Sequence, residues 1–544
     1  MHSDVDVVVI GGGPGGSTAA TTLARRGLRV LLLERAHFPR EHIGESLLPA
    51  SMPILEDLGV LDAIRAEGFV PKWGATMVWG REPAPWSWYF RETNQQYPHA
   101  FQVWRPRFDQ LLLENARDNG VEVCEGHTVL DVLFDQAGRA TGVRYVGNGE
   151  ARTVAARMVV DASGQGALIG RRLGLRRWDP FFQNLAVYGY FNGAQRLPSP
   201  DEGNIFIESY EHGWFWNIPL PNDVMSVGAV VDRRIGQDEI RRDGPLSFLM
   251  GQIAQARNTA AMLRDARMAE GPVIIKDWSY VSDAVTGDGW VLVGDAACFI
   301  DPLFSSGVHL ALSSGILAAA WVVTALKRPE MAEAAGRVYK ELYYRQYDHF
   351  RSMAQLFYAS NRTVESYFWE ARRLLGTDDG LTPRQAFIQA VAGQSPLGYE
   401  RAVLDRGNAP AAFSQDVQAV QSARDERRAH VARWRSDAAG AGHAFGDVVP
   451  RPAPGVRVEK KPVLADGEFV WGHVLVTSGY PEGTPCSPFV ATLVRLIDGR
   501  TPVSGVIERL NQGQEPARAT QIERTVLDAL GILYVDGTID TATG

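Results

Sequence analysis

Several groups of residues have types and spacings suited to chemistry. Gly11, Gly13 and Gly16 form G-x-G-x-x-G after an apolar run at 5–10, and Glu34 closes the next apolar run about 20 residues on. The first glycine permits a tight turn, the second lets the backbone approach a pyrophosphate, and the third lets helix and strand pack closely. A helix N-terminus there stabilises the anion, and Glu34 accepts hydrogen bonds from a ribose lacking a 2′-phosphate. Lys72, in Phe69-Val-Pro-Lys72-Trp-Gly74-Ala75, has apolar and aromatic neighbours on both sides. They predict a buried amine, whose protonation shifts readily and whose donors rotate. Trp214 and Trp216, in Trp214-Phe-Trp216-Asn-Ile218-Pro219, place two indoles on one face of a strand. Phe299-Ile-Asp301-Pro302-Leu-Phe-Ser305-Ser306-Gly307-Val-His309 predicts a turn into a helix N-terminus, which favours a small anion. His309 is expected to be a core histidine.

The elements that must position these groups follow from periodicity. A strand at 5–10, a helix at 17–26 and a strand at 29–33 make a β-α-β unit. Strand-like segments recur at 76–79, 121–125, 159–161, 186–191, 204–208 and 224–231. Alternating with helices, they predict an α/β fold with a Rossmann-like core and a mostly antiparallel sheet, inserted at about 65–105 and 178–285, that covers a ligand. Val291-Leu-Val-Gly294-Asp295-Ala-Ala runs from a strand into a helix N-terminus, and Val160-Asp161-Ala-Ser-Gly164 ends another strand. Residues 331–375 read as helix, 376–380 and 397–410 as loops, 422–434 as a charged helix, and 436–458, dense in Ala, Gly and Pro, as a linker. A strand at 469–477, helices at 487–497, 501–510 and 519–530, and a strand at 532–536 suggest a small winged-helix-like C-terminal domain. The expected division is a core of 1–375, a helical segment and linker of 376–458, and a C-terminal domain of 459–544.

At 544 residues and 45% hydrophobic, the chain can bury a large core. Its formal charge of -8 and lack of a basic aromatic patch argue against nucleic acid as a partner, and acidic residues through the tail deny it a basic recognition face. Cys124, Cys298 and Cys486 show no C-x-x-C spacing, so neither a disulfide framework nor a metal site is expected, and the reading is cytoplasmic. The apolar run 310–323 falls short of the roughly 20 residues a membrane span needs and reads as a buried helix, so no membrane is expected.

The Gly294-Asp295-Ala segment resembles the G-D-A motif of flavoprotein monooxygenases and their relatives, which implies FAD with Asp295 near its ribityl or phosphate region. Arg105, in Arg-x-x-Phe-Asp, resembles the arginine that reaches the flavin in those proteins, and Asp161 falls near the adenine side. The complete W-x-W-x-I-P then resembles flavin-dependent halogenases, where it is thought to keep substrate from the flavin and suppress monooxygenation. Lys72 resembles the essential lysine of that family, which takes up hypohalous acid by hydrogen bonding or as a haloamine, and Ser306 and Gly307 match its halide turn. Ile43-Gly44-Glu45-Ser46-Leu-Leu-Pro49 is also similar, with Glu45 either a flavin contact or a supporting group.

The resemblance spans about 5–375 and implies FAD used as FADH2, dioxygen, chloride or bromide, and a separate flavin reductase. Within the family it is nearest the branch containing the chloramphenicol-pathway halogenase, which makes Asp277 a candidate for a covalent flavin link, the alternative being an ordinary carboxylate. Phe304 stands where tryptophan halogenases carry a glutamate. That departure points from free tryptophan towards an electron-rich phenol, pyrrole or enolisable acyl group, free or tethered to a carrier protein. An aromatic hydroxylase on the same fold and a non-catalytic flavoprotein are the rival readings.

Overall fold

The computed structural model describes residues 5–80, 84–276, 279–359, 383–393, 426–434, 445–477, 480–513 and 515–541. Two compact units divide the chain: Met1–Glu370 with Phe387–Gln394 and Asp466–Glu468, and Ala371–Ala386 with Ser395–Ala465 and Phe469–Gly544.

In the first unit β1 (Val5–Ile10), α1 (Pro14–Arg25) and β2 (Val30–Leu33) form the β-α-β unit. Val7, Val8, Val9 and Ile10 are all buried, as an uninterrupted apolar run requires when helices cover both faces of a parallel sheet. β1 lies parallel between β2 and Glu150–Asp161, and the order continues outward through Glu122–Cys124 on one side and Trp290–Leu292 on the other. The carboxyl ends of β1, β2 and Glu150–Asp161 therefore bring Gly11, Glu34 and Asp161 to one edge, where open α/β sheets bind ligands. A hairpin of Thr128–Phe134 and Ala140–Gly147 extends Glu150–Asp161. Its half-exposed residues carry only a weak period of two, and the sequence reading missed it.

A second sheet of seven strands runs Arg267–Lys276, Asn184–Asn192, Val224–Asp232, Gly213–Pro219, Ile205–Tyr210, Gly74–Val78, Trp86–Tyr89. It is antiparallel except where Gly74–Val78 lies parallel to Ile205–Tyr210. Phe215 packs on one face with Leu185, Val227, Phe248 and Leu249. Alternation then sends Trp214 and Trp216 to the other face.

Helix Gly307–Lys327 is longer than the expected 310–323, because its Ser and Gly residues are absorbed into helix packing. It is long and apolar enough to cross a membrane, yet it is mostly buried, with Gly315 set close to Gly15 and Thr18 of α1. It thus helps to fix the N-terminus of α1. Met331 is in a 3-10 turn, and the helix after it is Ala332–Ala359; the expected continuation to 375, and the loops at 376–380 and 397–410, lie outside the described residues.

In the second unit the strands Arg457–Ala465, Glu468–Thr477 and Tyr480–Cys486 form a sheet, although the first of these strands begins inside the expected linker. Its alternation of Val and charged residues proves more informative than the Pro and Gly before it. Helices Pro488–Leu496, Val503–Asn511 and Pro516–Val535 follow. The strand expected at 532–536 is instead the end of the last helix, where Leu533 and Tyr534 pack into the core with Leu530; the strand after it is Ile539–Thr541, paired with Pro450–Pro452. The larger sheet therefore precedes the helices.

Candidate active site

The glycine turn is built as the dinucleotide reading requires. Gly11 adopts φ +101°, open to glycine at little cost, and a Cβ on Gly16 would lie 1.9 Å from Gly11 O. Gly13 caps α1 without a side-chain hydrogen bond, leaving first-turn N–H groups for an anion. Glu34 is buried and accepts from Gly12 N at 2.7 Å and Ala36 N at 2.8 Å, so its carboxylate braces the turn. Sequence reasoning missed Arg40. Its Nη2 lies 3.2 Å from Asp109 Oδ2 and would be 3.4 Å from a Cβ on Gly13, while its buried Nη1 has no hydrogen-bond partner. A guanidinium with an unused donor beside the helix N-terminus suits a pyrophosphate, so the residues present fit FAD. Its only signal in the sequence was a basic residue soon after β2.

Asp161 ends its strand beside Ile10, but its oxygens accept from Ser163 N at 3.1 Å and Ile169 N at 2.8 Å. It orders the loop after the strand, and burial pushes its pKa up. Gly294 and Asp295 form a turn after Trp290–Leu292, with Gly294 at φ +60° and its N–H donated to Ser314 Oγ at 2.9 Å. Burial raises Asp295 to about 7, against the opposing pull of Arg105. Arg105 is buried and bidentate to Asp109, at 2.8 and 2.9 Å, with its third nitrogen on the carbonyls of Ile43 and Gly44. It joins the segment bearing Glu45 to the helix Arg105–Asp118. Glu45 is buried, accepts from Tyr190 Oη at 2.9 Å and leaves Oε2 unpartnered; burial raises its pKa. Asp277 lies outside the described residues.

Lys72 ends the short strand Val70–Lys72, paired with Ala100–Gln102, and is only 2% exposed. Nζ donates to Leu47 O at 2.9 Å, lies 3.5 Å from Ser305 Oγ and stands 5.6 Å from the centre of the Phe90 ring. Burial alone brings its pKa down from 10.5 to about 7. Ser305, at φ +57°, turns the chain into Ser306, the N-cap of helix Gly307–Lys327. Ser306 is buried, and the first N–H groups of this helix have no partner within it. A Cβ on Gly307 would lie 2.9 Å from the Phe299 ring. The fold thus brings Lys72 to the start of the Ser306–Gly307 turn from 233 residues away.

Trp214 and Trp216 are buried, with ring centres 6.1 Å apart. Trp216 Nε1 donates to Ser226 Oγ at 3.2 Å, and its indole covers Gly228, where a Cβ would lie 2.1 Å from it. Trp214 Nε1 donates to Tyr358 Oη at 2.5 Å. Phe304 packs against Phe357, which packs against Phe387, which in turn meets Trp88. His309 is buried with Nδ1 unpartnered, and burial lowers it to about 4, so it is neutral near pH 7.

The parallel sheet, its glycine turn and the Gly294-Asp295 turn define an FAD-dependent oxidoreductase, and a family model described as FAD dependent oxidoreductase matches residues 6–171. A second model, described as tryptophan halogenase, matches residues 89–419. The chain is 36% identical over 408 residues to a tryptophan 2-halogenase of Chondromyces crocatus, covering 73% of this chain and 77% of that protein. It is 33% identical to the 1H-pyrrole-2-carbonyl-[peptidyl-carrier protein] chlorinase of Pseudomonas fluorescens, covering 74% and 92%. Among solved structures, the myxobacterial chondrochloren halogenase CndH is 41% identical with a TM-score of 0.64, covering 76% of this chain and 94% of its own. The flavin-dependent halogenase CmlS is 27% identical with a TM-score of 0.69, covering 100% and 97%. The protein belongs to the flavin-dependent halogenase family, FAD-using enzymes of natural-product pathways, whose usual cosubstrates are halide and dioxygen.

Proposed function

We propose that this halogenase places chlorine on an electron-rich phenolic or pyrrolic ring or an enolisable acyl group, with Lys72 carrying the halogen. The single observation that carries the reading is a buried amine beside the turn that opens helix Gly307–Lys327. Reduced FAD, when bound between the glycine turn, Arg40 and Asp295, supplies two electrons so that dioxygen, halide and a proton yield hypohalous acid and water. Ser306 and Gly307 hold the halide at the helix N-terminus. The neutral amine of Lys72 attacks the halogen of hypohalous acid; an N–halogen bond forms, the O–halogen bond breaks and water leaves. The substrate carbon then takes the halogen, the N–halogen electron pair returns to nitrogen, and the carbon's proton passes to a base. Trp214 and Trp216 wall the flavin from the organic substrate, and Glu45 contacts the flavin side.

Phe304 supports the substrate class. It stands where a carboxylate stabilises charge on indole in tryptophan halogenases, and its ring packs on that of Phe357. A substrate already rich in electrons needs no such carboxylate. The carrier-protein chlorinase among the relatives supports a tethered acyl substrate, and the family supports a separate flavin reductase. Incubation with FAD, a reductase, NADH, chloride and a panel of phenolic, pyrrolic and carrier-bound acyl substrates tests the reading by mass spectrometry. A chlorine isotope pattern lost in Lys72→Ala is expected; oxygen incorporation at unchanged rate without halide sinks it.

A further inference from the structure

Tyr358, on helix Ala332–Ala359, joins three segments that are distant in sequence. Its hydroxyl accepts from Trp214 Nε1 at 2.5 Å and from Asn184 Nδ2 at 3.2 Å, and donates to Asp301 Oδ2 at 2.9 Å. A phenolic oxygen has one donor and two acceptor sites, so this group is fully used. Asn184 Nδ2 also reaches Asp301 Oδ2 at 3.4 Å. The other oxygen, Oδ1, accepts from Leu303 N at 3.0 Å and caps the turn Pro302–Phe304 that leads into Ser305, Ser306 and Gly307. One hydroxyl thereby ties an indole of the W-x-W-x-I-P strand to the turn beside Lys72. The single N–H of Trp214 is spent on this hydroxyl, and its ring packs on Trp79 and Trp216 through apolar contacts that resist sliding only weakly.

We propose that Tyr358 is a positioning residue that holds Trp214 in register with the Asp301–Gly307 turn, so that hypohalous acid passes to Lys72 instead of escaping to solvent. Without the hydroxyl, Trp214 Nε1 and Asp301 Oδ2 lose their shared partner, and buried polar groups left unpaired seek other conformations. The wall then loosens at the side nearest the turn. This role rests on the reading that Lys72 takes up the halogen.

The test needs no organic substrate. The enzyme loaded with chemically reduced FAD is exposed to oxygen and bromide, and protein-bound oxidising equivalents are titrated with a chromogenic thiol after gel filtration. A soluble 1,3-diketone in a parallel reaction captures hypohalous acid that escapes. In Tyr358→Phe, bound equivalents per flavin oxidised should fall at least fivefold and diketone bromination should rise to match, while the rate of flavin reoxidation stays within twofold of wild type. Trp214→Phe combined with Tyr358→Phe should be no worse than Trp214→Phe alone. An unchanged bound share in Tyr358→Phe overturns the proposal, and so does loss of flavin binding and bound halogen in equal proportion, which marks mere structural support. Should Tyr358→Phe fail to fold, Asn184→Ala, which removes one hydrogen bond to the same hydroxyl, must show the same split in direction, or the proposal falls. If the wild type holds no more oxidising equivalents than Lys72→Ala, the lysine reading fails and takes this one with it.

Discussion

At Lys72 burial sets the chemistry. An ammonium with a carbonyl and a distant hydroxyl as its polar neighbours is costly to keep charged, so the folded amine loses its proton near pH 7, against 10.5 for its ordinary value. Only the neutral amine has a lone pair for halogen. The rate of halogen transfer should therefore be low at pH 6, rise through about pH 7 and level off above it. Single-turnover product formation across that range, with reduced flavin supplied in excess, reads this directly; a flat profile contradicts it. The linkage to stability has a definite sign. The folded value lies below the unfolded one, so between about pH 7 and 10.5 the unfolded chain binds the extra proton and stability rises with pH. Below that window the buried charge weighs fully. Lys72→Met should raise the unfolding free energy at pH 6 by on the order of 1 kcal/mol or more, measured by denaturant titration, while abolishing halogen transfer.

The strand Gly213–Pro219 and the glycine turn show how elements turn residue types into a site. Trp216 lies over Gly228 of the neighbouring strand because glycine alone leaves that face open; its Cβ position is 2.1 Å from the indole. Gly228→Ala should displace Trp216, at a cost of about 1–3 kcal/mol in unfolding free energy, typical of overpacking. It should also raise the share of reduced flavin spent without halogenation. Near the N-terminus of α1, Arg40 Nη1 is a buried donor with no protein partner, which suits a pyrophosphate. Arg40→Gln should weaken FAD binding by about tenfold, equivalent to about 1.4 kcal/mol, with the fold intact. Quenching of flavin fluorescence on titration measures this, and unchanged affinity would remove Arg40 from the site.

For the whole molecule, the flavin is the route by which reducing power enters. Any source of reduced FAD should then replace the reductase, whereas NADH with oxidised FAD and no reductase should give no halogenated product. Product in that second mixture, detected by mass spectrometry, would mean that the chain reduces its own flavin and would return belief to the hydroxylase. Legibility differs between the two units. The β-α-β unit was readable because strands buried on both faces are uniformly apolar and the glycines have no other reason for their spacing. The tail was readable as helices but not in its boundaries. Ile532, Tyr534 and Val535 are β-branched or aromatic, yet Leu533 and Tyr534 extend the buried face of the preceding helix, and tertiary packing overrides local preference. The burial of Lys72, Trp214 and Trp216 was legible from their apolar settings, whereas the contacts of Arg40 and Tyr358 were not, because their partners lie far away in sequence.

By itself the sequence determined which groups were available: a phosphate-binding turn, an acidic strand end, paired indoles and an amine among apolar neighbours. These rest on local spacing and on backbone freedom, which neighbouring residues settle. Tertiary structure alone decided that the amine meets the turn before Gly307 and that one tyrosine hydroxyl joins an indole to Asp301. Such pairings depend on desolvation and on hydrogen-bond satisfaction between segments 57 to 233 residues apart, and no local pattern encodes them.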